Sequence, residues 1–192
     1  MLDLGCGSGL FTRRLKAWGG CVRGLDKSAA MVAIARAENP DIPFTVGDAR
    51  RAPFAPRSFD IVAAALLAHY FRDLDPLFRE VSRLLKPGGI WAFSFHHPFN
   101  ETLRILHRKG RPTAAAGPYF HERPYAWKIG KMRLVSFHHT LEAVLEGLHA
   151  EGFVVERLLE PRPPARARHV SPRGFALTRA YPFFCAIRAR KE

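Results

Sequence analysis

The chain has 192 residues, 47% hydrophobic and 24% charged, values that suit one domain with a proper core. No stretch approaches the roughly 20 apolar residues of a membrane span, and no basic leader followed by a long apolar run opens the chain. Three cysteines (Cys6, Cys21 and Cys185), odd in number and without a CxxC pair, exclude a disulfide framework and a zinc ribbon and predict a reducing cytoplasm.

In chain order, MLDLGC reads as a buried strand entering a tight turn, and a helix follows over about residues 9–18, closed by Gly19-Gly20. CVRGLD is a second short strand ending in Asp26. Ser28 caps a helix that runs to about Glu38 and stops at Asn39-Pro40. IPFTVGD is the third strand. FDIVAAALLAHYF begins as the fourth and ends in a turn near Ala65–Tyr70. DPLFREVSRLLKPGG places Leu77, Val81, Leu84 and Leu85 on one helical face, and Pro87-Gly88-Gly89 breaks that helix before the fifth strand, IWAFSF.

From about 96 to 137 the rhythm fails, and the stretch, rich in His, Pro, Gly and aromatic residues, predicts a lid or insertion. TLEAVLEGLHAEGF restores a helix with Leu141, Val144, Leu145 and Leu148 inward. VVERLLE is a sixth strand, PRPPARARHVSPRG a loop, and AYPFFCAIRARK the last strand. The alternation predicts a single α/β domain over 1–192. Its seven strands form a doubly wound parallel sheet, with the insertion after strand five.

The net charge of +13 is concentrated: residues 101–134 hold eight Lys/Arg against two acids, and 161–192 hold eight against one. Such a bias attracts RNA, a membrane surface or an acidic substrate, or it is a solvated arginine-rich face. No RNA-binding motif with interleaved aromatics accompanies it.

Gly5, Gly7 and Gly9 stand where the first strand turns into its helix, where ligands of doubly wound sheets bind. Bare backbone lets a ligand approach closely, and the helix N-terminus beyond offers free N–H groups. The third glycine comes one place too early for the GxGxxG dinucleotide fingerprint. Asp3 within the strand either bonds nearby backbone N–H groups or serves a ligand. Asp26 and Asp48 end strands two and three; singly each reads as a cap or turn former, but together they line one edge of the sheet.

LDLGCGSG, GLDKS, FTVGDARRAPFAPRSFDIV and LLKPGGIWAFS resemble the class I S-adenosylmethionine-dependent methyltransferases, in the group of small-molecule and quinone-biosynthesis enzymes. The resemblance is strong over about residues 1–95 and weak over 137–160. It implies a Rossmann-like α/β fold, a mostly parallel seven-stranded sheet whose last strand is antiparallel, with S-adenosyl-L-methionine as methyl donor, S-adenosyl-L-homocysteine as product and a small-molecule acceptor. It also implies a cofactor site in which Asp3 and Gly5, Cys6, Gly7 and Gly9 line the methionine moiety. Asp26, with Lys27, takes the ribose, and Met31 packs on the adenine. Asp48 and Ala49 reach the adenine amine, with Ala65 and Leu66 beneath the sulfonium. Similar proteins carry a helix or two before the first strand. The start inside that strand therefore implies either a start placed late relative to the functional protein or a minimal form, with a more open cofactor site and scope for a compensating homodimer contact.

On the acceptor side, His69 and His138 occupy positions where similar sequences carry histidine, and they are the expected proton-handling residues. Each also reads as a hydrogen-bonded structural histidine. His139 stands where arginine is frequent, His96-His97 follow strand five, and His121 lies in the insertion; these lack ligand spacing with a carboxylate, so no metal is expected. Tyr119, Phe120, Tyr125 and Trp127 wall a planar substrate or form the insertion's own core. AAALLAHY after strand four is neither an NPPY-like turn nor a Pro-Cys, which argues against adenine amino or cytosine C5 methylation. A tRNA or rRNA methyltransferase using the basic segments, and a non-catalytic cofactor-binding protein, are the alternatives.

Overall fold

The computed structural model describes residues 1–103, 119–130 and 132–192. β1 (Leu2–Leu4), α1 (Leu10–Ala17), β2 (Arg23–Asp26), α2 (Ala29–Glu38), β3 (Phe44–Val46) and β4 (Phe59–Ala65) follow one another. A 3₁₀ turn at Ala68–Tyr70 then leads to α3 (Asp75–Leu84) and β5 (Leu85–His96). Next come α4 (Pro98–Leu103), β6 (Pro124–Ile129), β7 (Met132–Phe137), α5 (Leu141–Ala150), β8 (Phe153–Leu159), α6 (Ala167–Val170), α7 (Pro172–Ala180) and β9 (Phe184–Lys191).

Seven strands form one sheet in the order β3-β2-β1-β4-β5-β9-β8, and β6 and β7 form a separate antiparallel hairpin. β1 pairs in parallel with both β2 and β4, so the chain winds outward in two directions from the β1/β4 junction. β9 lies antiparallel between β5 and β8, as the resemblance implies for the last strand. A ligand crevice belongs at the carboxyl end of the β1/β4 junction, where adjacent connections leave on opposite faces.

Side-chain alternation splits the core between the two faces. Leu2 and Leu4 join Val62, Ala64, Trp91 and Phe93 under α3 and α5, while Ala63 and Phe44 face Leu15 of α1 and Val32 and Ala35 of α2. α3 sends Leu77, Phe78, Val81 and Leu84 into the first layer; each such burial is worth about 1.5–3 kcal/mol. Phe78 meets Trp91 edge-on at 5.1 Å, and Trp91 stacks on Phe93 at 4.2 Å. Ser28 and Thr140 cap α2 and α5, accepting from Met31 N and Ala143 N.

Three local expectations are revised. α3 ends at Leu84, and the Pro87-Gly88-Gly89 segment is already strand, because Leu85 pairs with Phe59 before the register slips to Ile61–Ile90. The Pro/Arg-rich segment is not all loop. Ser171 accepts from Gly174 N at 3.2 Å and Pro172 supplies a preset first turn, so Pro172–Ala180 closes as a helix. Within 96–137 the chain forms α4 and the β6–β7 hairpin, with residues 104–118 and 131 outside the described residues. No helix among the described residues is long and apolar enough to cross a membrane.

Candidate active site

The turn after β1 is tied to the tip of β2 by three bonds. Gly5 N and Cys6 N both donate to Leu25 O, at 2.7 and 3.0 Å, and Gly7 N donates to Asp26 Oδ2 at 2.9 Å. Ser28 N donates to the other Asp26 oxygen at 2.8 Å, so the half-buried carboxylate is held from both sides while each oxygen keeps a further lone pair. Gly5 and Gly7 have φ of 76° and 53°, in the left-handed region. A Cβ on Gly5 would meet Leu67 Cδ1 at 2.7 Å, whereas one on Gly7 would find nothing within 4 Å. Gly5 is therefore bare for packing against the end of β4, and Gly7 opens onto free space.

Asp3 alternates away from Leu2 and Leu4 toward α1, where Thr12 Oγ1 donates to its Oδ2 at 2.6 Å. It is 1% exposed, and burial, with some repulsion from Asp26, pushes its carboxyl up to about 6 despite the Thr12 bond. Thr12 was not singled out in the sequence. The available signal was its spacing of three from Leu15, which puts both on the inward face of α1. Cys6 contributes backbone alone: its side chain packs in the α1/α2 core, where burial and the two aspartates push the thiol up to about 12.

Lys27 is exposed near Asp48, and Met31 is exposed on the first turn of α2. Asp48 is held by its neighbour: Arg50 donates from Nε to Oδ1 at 3.0 Å, from Nη2 to Oδ2 at 2.7 Å and from its backbone N to Oδ1 at 2.8 Å. That clamp keeps the Asp48 carboxyl down at about 2 and occupies most of its acceptor capacity, leaving Oδ2 the freer oxygen. Ala49 is buried in the core. Across the edge, Ala65 ends β4 and Leu66 follows with φ 56°, rare for a branched residue. Leu66 N donates to both Ser94 O (2.9 Å) and Ser94 Oγ (3.1 Å), which fixes the strained turn onto β5.

Of the two candidate histidines, His69 lies in the 3₁₀ turn after β4 and His138 just past β7. His69 is buried and stacks on His96, with ring centroids 3.9 Å apart and 13° between the planes; His96 Nδ1 lies 2.9 Å from Tyr125 Oη. His138 is buried with Nε2 2.7 Å from Tyr119 O, and His139 Nε2 lies 2.8 Å from Phe71 O. Trp127 Nε1 donates to Ser136 Oγ at 2.8 Å within the hairpin. The histidines thus form the joint between the sheet edge and the inserted hairpin, a role that depends on contacts distant in sequence. Among the described residues, no group of three His, Cys, Asp or Glu side chains could hold a metal ion.

Residues 2–93 match the family model of a methyltransferase domain. An S-adenosylmethionine-dependent methyltransferase of Mesorhizobium loti superposes with a TM-score of 0.83 at 32% identity, covering 99% of this chain and 89% of that one. The chain belongs to the class I S-adenosylmethionine-dependent methyltransferases. A demethylmenaquinone methyltransferase of Chlorobaculum parvum is 42% identical to this methyltransferase over 90 residues, 46% of this chain and 37% of that protein. A 2-phytyl-1,4-naphtoquinone methyltransferase of Thermosynechococcus vestitus is 37% identical over 138 residues, 66% of this chain and 61% of that protein. The matches therefore span about two fifths and three fifths of these two curated relatives.

A methyltransferase of this class needs a cradle of bare backbone for the donor's amino-acid end and a carboxylate for its ribose. Gly7, with open space over it, and Asp26, fixed to the same turn with lone pairs to spare, fit that requirement.

Proposed function

We propose that this protein transfers a methyl group from S-adenosylmethionine to a small-molecule acceptor. The observation that carries the proposal is the bond from Gly7 N–H to Asp26, which locks an open glycine turn against a carboxylate at the β1/β2 edge. When bound, S-adenosylmethionine supplies a methyl carbon on a cationic sulfur, open to in-line attack by a nucleophile with a neutral thioether leaving.

The chain's own work is then positional. Asp3 and the Gly5–Gly9 backbone, including Cys6, hold the amino-acid end of the donor. Asp26 accepts the ribose hydroxyls with Lys27 beside it, Met31 covers the adenine, and Asp48 Oδ2 and the Ala49 backbone meet its amine. Leu66, fixed by Ser94 just past Ala65, forms the floor under the reacting carbon. The β6–β7 hairpin covers the acceptor, with Tyr125 and Trp127 as its wall. His69 receives the acceptor's proton where one must leave, and His138 sets the insertion by holding Tyr119 O.

The similarity to quinone methyltransferases supports a planar, largely apolar acceptor. The test is incubation with methyl-labelled S-adenosylmethionine and a panel of quinols, phenols and carboxylic acids. The proposal predicts label in one acceptor class, reduced in Asp26→Ala at limiting S-adenosylmethionine. Tight cofactor binding with no label in any acceptor or cell extract would instead identify a non-catalytic binding protein.

A further inference from the structure

The arginine-rich segment singled out in the sequence has no part in the donor site, yet the topology brings it to the same edge of the sheet. β8 runs parallel to β5 and β9 returns between them, so the 160–183 connector crosses the carboxyl end of the strands. It is fastened there to the start of the insertion: His97 N donates to Phe183 O at 3.0 Å, His97 Nε2 lies 3.0 Å from Glu160 Oε1, and the rings of Phe99 and Tyr181 are 6.3 Å apart.

Residues 161–183 contain Arg162, Arg166, Arg168, Arg173 and Arg179 and no Asp or Glu. Several exposed bases elsewhere on the surface have carboxylate partners: Lys16 with Asp41, Arg79 with Glu151, Lys86 with Asp60, and Arg188 and Arg190 with Glu156. Among the described residues, none of the five connector arginines makes such a pair. Arg162 and Arg179 line a cavity of about 210 Å³ together with Tyr181 and with Glu160, whose Oε1 lies 3.0 Å from His97 Nε2. Two arginines against one carboxylate around this small space leave a net positive charge, and guanidinium donors suit a planar or tetrahedral oxyanion.

We propose that this cavity binds a phosphate or carboxylate group carried by the methyl acceptor, an inference that rests on the methyl-transfer reading above. The cavity lies at the tips of β8 and β9, two to three strands from Leu66 at the tip of β4. At the ordinary strand spacing that is roughly 10–14 Å. The acceptor is therefore an elongated molecule, with its anionic end on Arg162 and Arg179 and its reacting atom about that distance away over the β4 tip.

Titration calorimetry of the full chain at low ionic strength tests this, with inorganic pyrophosphate and malonate as separate probes and S-adenosylhomocysteine as a third ligand. The proposal predicts saturable one-to-one binding of at least one anion, the stronger of the two naming the headgroup. Affinity should weaken about tenfold in Arg162→Ala or Arg179→Ala, while Arg13→Ala on α1 binds the anion as the wild type does. S-adenosylhomocysteine should bind both arginine variants unchanged. If S-adenosylhomocysteine binds but neither anion saturates, or the arginine variants bind anions normally, the cavity is not a site and the methyl-transfer reading stands. If a short single-stranded RNA binds with a steep salt dependence and displaces pyrophosphate, the patch is a nucleic-acid surface and the proposal is overturned. Failure of S-adenosylhomocysteine to bind at all would count against the donor site itself.

Discussion

Replacing Asp3 by asparagine isolates the energetic cost of burying a carboxylate beside Asp26. The shift from 3.8 to about 6 corresponds to about 3 kcal/mol favouring the protonated form in the folded state. Between those two values the folded protein keeps a proton that the unfolded chain has released, so stability falls as pH rises through the window and the full penalty stands above it. Asparagine keeps an acceptor for Thr12 Oγ1 and removes the charge. Allowing for a weaker Thr12 bond, Asp3→Asn should gain about 1–2 kcal/mol near pH 8, a Tm rise of roughly 2–8 °C, and almost nothing near pH 4. Scanning calorimetry on both proteins at the two pH values measures this. An equal Tm difference at both, or a less stable variant near pH 8, would refute the reasoning.

Other substitutions separate packing from binding. Gly7→Ala should cost about 1 kcal/mol of stability for its positive φ but abolish S-adenosylhomocysteine binding, whereas Gly5→Ala, driven into Leu67, should unfold at distinctly lower urea. Comparable urea midpoints would mean that the two positions are not distinguished as described. Asp26→Ala removes the acceptor for Gly7 N and Ser28 N, and should weaken S-adenosylhomocysteine binding by about 1–3 kcal/mol in calorimetry; unchanged affinity would displace the ribose from this carboxylate. Leu66→Gly should stabilise the fold by about 1 kcal/mol in urea denaturation, since a half-exposed side chain is lost and backbone strain relieved; a loss would show that Leu66 packing outweighs its strain.

The sheet and most of its elements were legible because their signals are local. Apolar runs punctuated by Gly and Asp gave β1 to β4, and the periodicity of Leu77, Val81 and Leu84 gave α3. The proposed donor site rests on Gly5–Gly9, Asp26 and Asp48, which end or follow strands that are neighbours both in the chain and in that half of the sheet. What escaped depends on distant pairing. The Ser94 hold on Leu66 and the stacking of His69 on His96 join residues far apart in sequence, whose relation only the folded edge creates. The helix Pro172–Ala180 had a readable start in Ser171-Pro172, but its arginines and the prolines before it gave the segment a loop's composition.

A crystal structure of the protein with S-adenosylhomocysteine tests the donor site most directly. It should show the ribose hydroxyls within hydrogen-bond reach of Asp26 and the amino-acid end lying over Gly7, with the sulfur facing Leu66. A ligand seated elsewhere, or an Asp26 carboxylate bonded to backbone alone while the ligand is bound, would contradict it.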